Sequence, residues 1–372
     1  MSVDVCPDDR ALRSGRRQRA LVQMAAHDLD VLVLGRQANV RYVTGTPQLW
    51  VAGTRPFGPS CVLVRATGAV HLLSTWDEGV PDDIPHEHLY GISWNPVNTM
   101  AVLKRIDGAA TARRVGTDAL SPAFAKLLPT AFPNAQLVDG ELAMRAARRI
   151  KTAEEVVALR DAVAVAEAGL AAAVAGLHPG VREGTLAGAM LEAMAAGGVS
   201  TPSNQDVAWV TSRDHPWRRA GTDGRVNDGD LVAFSAGALA GGYTGEVGRT
   251  WPVGRVRGCG ALYRRWDGLF AGLLAACRPG VRASELLAAY EAAGEPPPPM
   301  PVARGLGMGF DPPVVSPHLP HSAAEERLEA GMVLAVTGYV WEPGVGAVFG
   351  REAVLITADG PEVLTSSPAW RP

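Results

Sequence analysis

The second half of the chain repeats itself, and that repeat restricts the available folds more than any other feature. His178-Pro179-Gly180-Val181-Arg182 returns as Arg278-Pro279-Gly280-Val281-Arg282. Each copy follows an Ala-rich helical stretch and precedes another, with Leu186 to Ala196 answering Leu286 to Ala293. Pro-Gly by itself is a common turn. The matched order of flanking helices argues instead for two equivalent halves related by a pseudo-twofold.

Upstream, residues 10 to 28 read as an amphipathic helix, VLVLG at 31 to 35 as a buried strand, and CVLVRA and VHLLS as further strands. This predicts an α/β N-terminal domain over residues 1–150. KTAEEVVALRDA opens a helix over about 152 to 177, with Thr152 and Glu155 in the spacing of a capping box, and begins a C-terminal domain over 151–372. The run Pro296 to Pro299, followed by Pro301, must be extended and leads into the Arg304 segment. With 372 residues and 47% hydrophobic content, the chain can bury two cores. A net charge of -3 gives no electrostatic footprint for nucleic acid or an anionic membrane, so neither partner is expected. MSVDVCPDDRALRSGRRQRA lacks the apolar core of a secretory signal, and no apolar run approaches the roughly 18 residues of a membrane-spanning helix. Cys6, Cys61, Cys259 and Cys277 lack metal-site spacing, which suits free thiols in a reducing cytoplasm. Among basic residues only Lys104, Lys126 and Lys151 are not Arg, and with abundant Ala and Gly this points to a GC-rich, bacterial genome.

Residues 229 to 254, GDLVAFSAGALAGGYTGEVGRTWPVG, carry a second pattern: Gly-Asp feeding a strand, then Ser235, then Glu246 eleven residues on, just before Arg249-Thr250. Ala303-Arg304-Gly305-Leu306-Gly307, GMVLAVTGYVW with Thr337, GREAVLITADGPEVLT with Arg351 and Glu352, and NVRYVTG at 39 to 45 complete the set. In this order the segments resemble the creatinase, prolidase and aminopeptidase P family, M24, whose C-terminal domain has the α+β pita-bread fold with an internal pseudo-twofold. The resemblance implies metal ligands Asp, Asp, His, Glu and Glu at positions 235, 246, 304, 337 and 351, and a second His at Asp311. Here the five positions hold Ser235, Glu246, Arg304, Thr337 and Arg351, whose charges sum to plus one. At an effective dielectric near 20, a dication about 4 Å from one guanidinium is repelled by roughly 8 kcal/mol. The reading is therefore a metal-free pocket with no cofactor.

Creatinase, a metal-free relative, uses a His as general acid and base, and the equivalent position here is Arg218. Arg is a poor base but binds carboxylate or phosphate bidentately and can stabilise developing negative charge, so Arg218 is placed with Glu246 and His215 among the catalytic candidates. Arg218, Arg304 and Arg351 are expected to converge on one cavity that takes a small anionic or zwitterionic, amino-acid-derived molecule. Proton transfer is assigned to Glu246, with His215 near the vacated His position. Ser235, Thr337, Tyr243, Asp311 and Glu352 are placed among the substrate-binding side chains, and Trp217 offers a flat apolar wall. The family also implies a homodimer whose loop crosses to the other subunit's pocket; TPQLWVAGTRPFGPS supplies Trp50 and Arg55 for that role. The expected activity is metal-independent hydrolysis or rearrangement of a bond in a small metabolite. The alternatives are an inactive peptidase homologue that binds a peptide or protein, and an ordinary Xaa-Pro peptidase.

Overall fold

The computed structural model describes residues 10–46, 59–74, 79–91, 95–118, 121–199, 203, 208–220, 224–309, 311–319 and 325–371. The chain divides into two compact units between Arg148 and Arg149.

The N-terminal unit is built on a six-stranded sheet. Its strands are β1 (Val31–Leu34), β2 (Cys61–Val64), β3 (Val70–Leu73), β4 (Leu89–Tyr90), β5 (Arg114–Thr117) and β6 (Gln136–Asp139), in the order β4-β3-β2-β1-β5-β6. β1 runs antiparallel to β2 and parallel to β5, and its four residues are all buried. Val31, Val33, Val62, Val115, Leu128 and Phe132 belong to one core cluster. The predicted first helix spans Arg10–Ala26. NVRYVTG forms the helix Gln37–Thr44, and its polar residues are structural. Asn39 donates to Asp118 at 2.8 Å and Glu141 at 2.7 Å, and the Tyr42 hydroxyl donates to the Ala147 carbonyl at 3.0 Å. Gly45 closes the helix at φ 76°, a left-handed conformation that glycine adopts without steric cost.

The C-terminal unit opens with the helix Ala153–Ala175, started by the predicted capping box: Glu155 N donates to the Thr152 hydroxyl and Thr152 N to the Glu155 carboxylate. Its sheet contains β7 (Ala208–Val210), β8 (Leu231–Ala240), β9 (Tyr243–Pro252), β10 (Ala303–Gly305), β11 (Asp311–Val315), β12 (Val333–Glu342), β13 (Gly346–Thr357) and β14 (Gly360–Val363). The order is β11-β10-β12-β13-β9-β8-β7, with β14 also paired to β13.

The repeat is a repeat in space. Gly180 N donates to Val226 O and Val226 N to Val181 O, at 2.7 and 2.9 Å. Gly280 N donates to Leu328 O and Leu328 N to Val281 O, both at 2.8 Å. Arg225 and Arg327 then donate to the carbonyls of Gly180 and Gly280 respectively. Hairpin β8–β9 thus has its counterpart in hairpin β12–β13, as the pita-bread fold requires.

Successive strand residues face opposite sides. Helices cover one side of these hairpins. An added Cβ at Gly245 would lie 2.1 Å from backbone atoms of Ala162 in the helix Ala153–Ala175, and Trp266 of the helix Cys259–Ala276 donates its indole N–H to Gly338 O at 3.0 Å. The other side carries the candidate site. No helix among the described residues is long and apolar enough to cross a membrane.

Candidate functional site

Strand register brings the five aligned positions together. Ser235 pairs with Gly248, Gly248 with Arg351, Arg351 with Thr337, and Arg304 with Ala335, two residues from Thr337. Directly paired residues share a face, as do residues two apart, so all five side chains point the same way. Gly248 leaves room at the centre: a Cβ there would meet the Phe349 ring at 2.4 Å and the Arg351 Cβ at 2.9 Å.

The side chains form one polar cluster around Glu246, which has 0% exposure. Arg304 Nη2 pairs with one carboxylate oxygen, and Arg351 Nη1 lies 3.2 Å from the other. Arg351 also donates from Nε to the Thr337 hydroxyl at 3.1 Å and from Nη1 to the Ser235 hydroxyl at 3.3 Å. Burial pulls the Arg351 guanidinium below its ordinary pKa, Glu246 opposes that pull, and Arg304 adds to it. An arginine nevertheless stays protonated in proteins.

A cavity of about 350 Å³ opens beside this cluster, lined by Arg218, Arg219, Ser235, Arg351 and an apolar wall of Trp209, Trp217, Pro299, Met300, Tyr339 and Phe349. The Arg351 guanidinium carbon sits 5.3 Å from the centre of the Phe349 ring. Trp341 donates to the Ser212 carbonyl at 2.8 Å and Tyr339 to that of Pro216, which holds the 212–219 segment at the rim. Arg218 is exposed, and its guanidinium has no ion-pair partner among the described residues.

Several assigned residues lie elsewhere. Asp311 makes a buried ion pair with Lys151 at 2.9 Å instead of facing the cavity, and Gly307 makes space for it, because a Cβ there would meet the Asp311 carboxylate at 2.1 Å. The Tyr243 hydroxyl donates to Glu155 at 3.0 Å, which ties it to the capping box. Glu352 projects from the opposite face of β13 to Arg351, where Arg249 Nη1 lies 2.9 Å away and Thr365 donates to it. Burial raises the Glu352 pKa, with Arg249 opposing. His215 is exposed and off the cavity lining, its backbone N–H bonded to the Ser212 hydroxyl at 3.1 Å. The three arginines do not all converge on the cavity: Arg218 and Arg351 line it, whereas Arg304, like Glu246 and Thr337, is absent from its described lining and sits in the cluster beneath. Trp50 and Arg55 lie outside the described residues. The aromatic wall of Trp209, Tyr339 and Phe349 went unassigned in the sequence; its signal is alternation with the polar positions, Tyr339 two residues from Thr337 and Phe349 two from Arg351.

The donor set does not fit the divalent ions that the family resemblance implies. One carboxylate, two hydroxyls and two guanidiniums present few of the anionic or imidazole ligands such ions need, and both carboxylate oxygens are already engaged by arginine. Among the described residues no group of three or more His, Cys, Asp or Glu is placed to hold a metal ion.

Known proteins give the scaffold a context. Residues 157–358 match metallopeptidase family M24, and residues 16–150 match the creatinase/prolidase N-terminal domain. The chain is 23% identical to the creatinase of a Bacillus species over 391 aligned positions, covering 95% of this chain and 90% of that one. It is 28% identical to an uncharacterized hydrolase/peptidase of Sinorhizobium fredii, over 74% of each chain. Among solved structures, the prolidase of Pyrococcus horikoshii superposes with a TM-score of 0.75 at 19% identity, covering 95% of this chain and 99% of that chain. The X-Pro aminopeptidase of Thermotoga maritima gives 0.77 at 14% identity, covering 94% of this chain and 100% of that one.

Proposed function

This chain belongs to metallopeptidase family M24, and we propose that it works without metal, as a hydrolase-like protein whose cavity takes a small anionic or zwitterionic, amino-acid-derived molecule and opens a C–N bond in it. The observation that carries this reading is the cluster Arg304–Glu246–Arg351. Two guanidiniums already supply the positive charge beside the carboxylate, and an added dication would meet their repulsion. Arg351 faces the cavity, so an anionic group on the ligand competes with Glu246 for it. That competition frees a carboxylate oxygen to take a proton from water as the hydroxide attacks the carbonyl carbon. The same proton then passes to the departing nitrogen as the C–N bond breaks.

A second reading, an inactive homologue that binds its ligand without turning it over, is favoured by the lining itself. Arg218, Arg219 and Arg351 are poor bases, and the Tyr339 hydroxyl is committed to Pro216 and raised in pKa by burial. In this reading Glu246 acts only as a countercharge. Assays of amine release from a panel of N-acyl amino acids and dipeptides, with EDTA or with added Mn²⁺, separate the readings. Release that EDTA leaves intact and Glu246→Gln abolishes is the expected result. Release that requires Mn²⁺ would restore the Xaa-Pro peptidase reading, and binding without release would favour the inactive homologue.

A further inference from the structure

We propose that the occupant of this cavity is a small aromatic carboxylate without a free ammonium group, its carboxylate on Arg351 and Arg218 and its ring against the aromatic wall. The proposal deepens the anion-site reading above and rests on it. Three features of the lining narrow the ligand.

The first is charge. The described lining side chains include three arginines and no Asp, Glu or His. A free ammonium on the ligand would find no countercharge there and would face like charges, so the zwitterionic option loses to the anionic one. Arg219 is partly offset by Glu183 at 3.6 Å, and Arg351 by Glu246. Arg218 has no such partner among the described residues.

The second is donor geometry. Arg351 spends Nε on Thr337 and Nη1 on Ser235 and Glu246, which leaves Nη2 without a hydrogen-bond partner among the described residues. A planar carboxylate enters on that N–H and, by reaching Nη1 with its second oxygen, competes with Glu246 there; bonds between charged groups are shorter and stronger than neutral ones.

The third is the wall. Trp217 packs on Tyr339 with ring centroids 4.7 Å apart, and Trp209 on Phe349 at 5.4 Å. Two aromatic pairs beside an arginine donor offer a ring both stacking and edge contacts, which an aliphatic chain would use less well. A volume of about 350 Å³ lies near the small end of ligand pockets, enough for one ring and a short arm.

The test is titration calorimetry on the full-length protein with phenylacetate, acetate and phenethylamine. Phenylacetate should bind about tenfold more tightly than acetate, and phenethylamine should give no binding heat. Trp217→Ala, at a residue 40% exposed and therefore tolerant of change, should bring phenylacetate down to the level of acetate. Arg351→Gln should weaken both acids about tenfold or more, and Arg218→Gln, at an exposed position that does not endanger folding, should do likewise. Equal affinity for the two acids would overturn the ring assignment while leaving the anion site standing. Preference for phenethylamine, or no binding by any of the three, would overturn both. Unchanged binding of the acids by folded Arg351→Gln and Arg218→Gln would place the carboxylate elsewhere and overturn the proposal.

Discussion

Hairpin β8–β9 brings a hydroxyl and a carboxylate to the cavity face, Ser235 and Glu246, whereas hairpin β12–β13 brings a hydroxyl and a guanidinium, Thr337 and Arg351. On the opposite face the signs reverse: β9 supplies Arg249 and β13 supplies Glu352. The backbones of the two halves are near copies, down to the glycines that lead into β8 and β12 at φ 86° and 89°. A shared backbone therefore does not impose a shared charge. When both halves present acids, as the family pattern implies, they must be bridged by cations. When one presents an acid and the other a base, they neutralise each other directly.

The largest expected effect comes from making the halves alike again. Ser235→Asp, Arg304→His, Thr337→Glu and Arg351→Glu together, with Glu246 kept, should create a divalent site that the metal-free reading denies the parent. Elemental analysis after Mn²⁺ loading and desalting should then find stoichiometric metal in the variant and well under one equivalent in the parent. A folded variant that stays metal-free would break the equivalence drawn between these positions and the family's ligands.

Glu246→Gln sharpens the comparison from the other side, because it leaves two guanidiniums facing one another without their countercharge. Removing one partner of a buried pair costs about 3 to 5 kcal/mol, so urea denaturation should show a loss of that size. Replacing Glu246, Arg304 and Arg351 together by Leu, Met and Met should recover most of it, since well-packed apolar side chains often match a buried ion pair in stability. A triple variant as unstable as Glu246→Gln would mean that packing, not charge, dominates the cluster.

Gly245→Ala tests whether helix and strand in the first half are as close as they look. A Cβ there meets the Ala162 backbone, which cannot rotate away, and such overpacking costs about 1 to 3 kcal/mol. Gly338→Ala in the second half meets a side chain, the Trp266 indole at 2.7 Å, and no backbone atom so near as the 2.1 Å at Gly245, so its cost should be smaller. The reverse order, read by thermal denaturation of both, would contradict the asymmetry.

The smallest effect concerns the pair on the opposite face. The folded Glu352 pKa is raised by burial above the unfolded value near 4.5, so the folded state holds this proton more firmly. Its contribution to stability is fully present below pH 4.5 and is lost as pH rises through the raised value. In Glu352→Gln that loss should vanish, and the stability difference between pH 4.5 and pH 7 should flatten. An unchanged slope in the variant would assign the pH dependence to other groups.

The fold was legible because its signals are local or periodic: the Pro-Gly repeat, the Thr152–Glu155 cap and the alternating strands each declare themselves over a few residues. The pairings were not. Asp311 looked available until Lys151 arrived beside it from 160 positions away in the chain, and Tyr243 until Glu155 did so from 88. Glu352 sits next to Arg351 in sequence, yet strand alternation sends it to the other face. The aligned positions could be counted from spacing, but that Glu246 is held between two arginines depends on register across β9, β13, β12 and β10, which no single segment contains.

The charge beside Glu246 is carried by groups that cannot leave. A coordinated ion is in exchange with its surroundings: its occupancy follows supply, and a commoner or tighter-binding element can take its place. The guanidiniums of Arg304 and Arg351 arrive with the polypeptide, one of each per chain, and are in position once the strands have paired. On the metal-free reading proposed above, such a centre would need no loading step, and its readiness would be fixed by translation and folding alone.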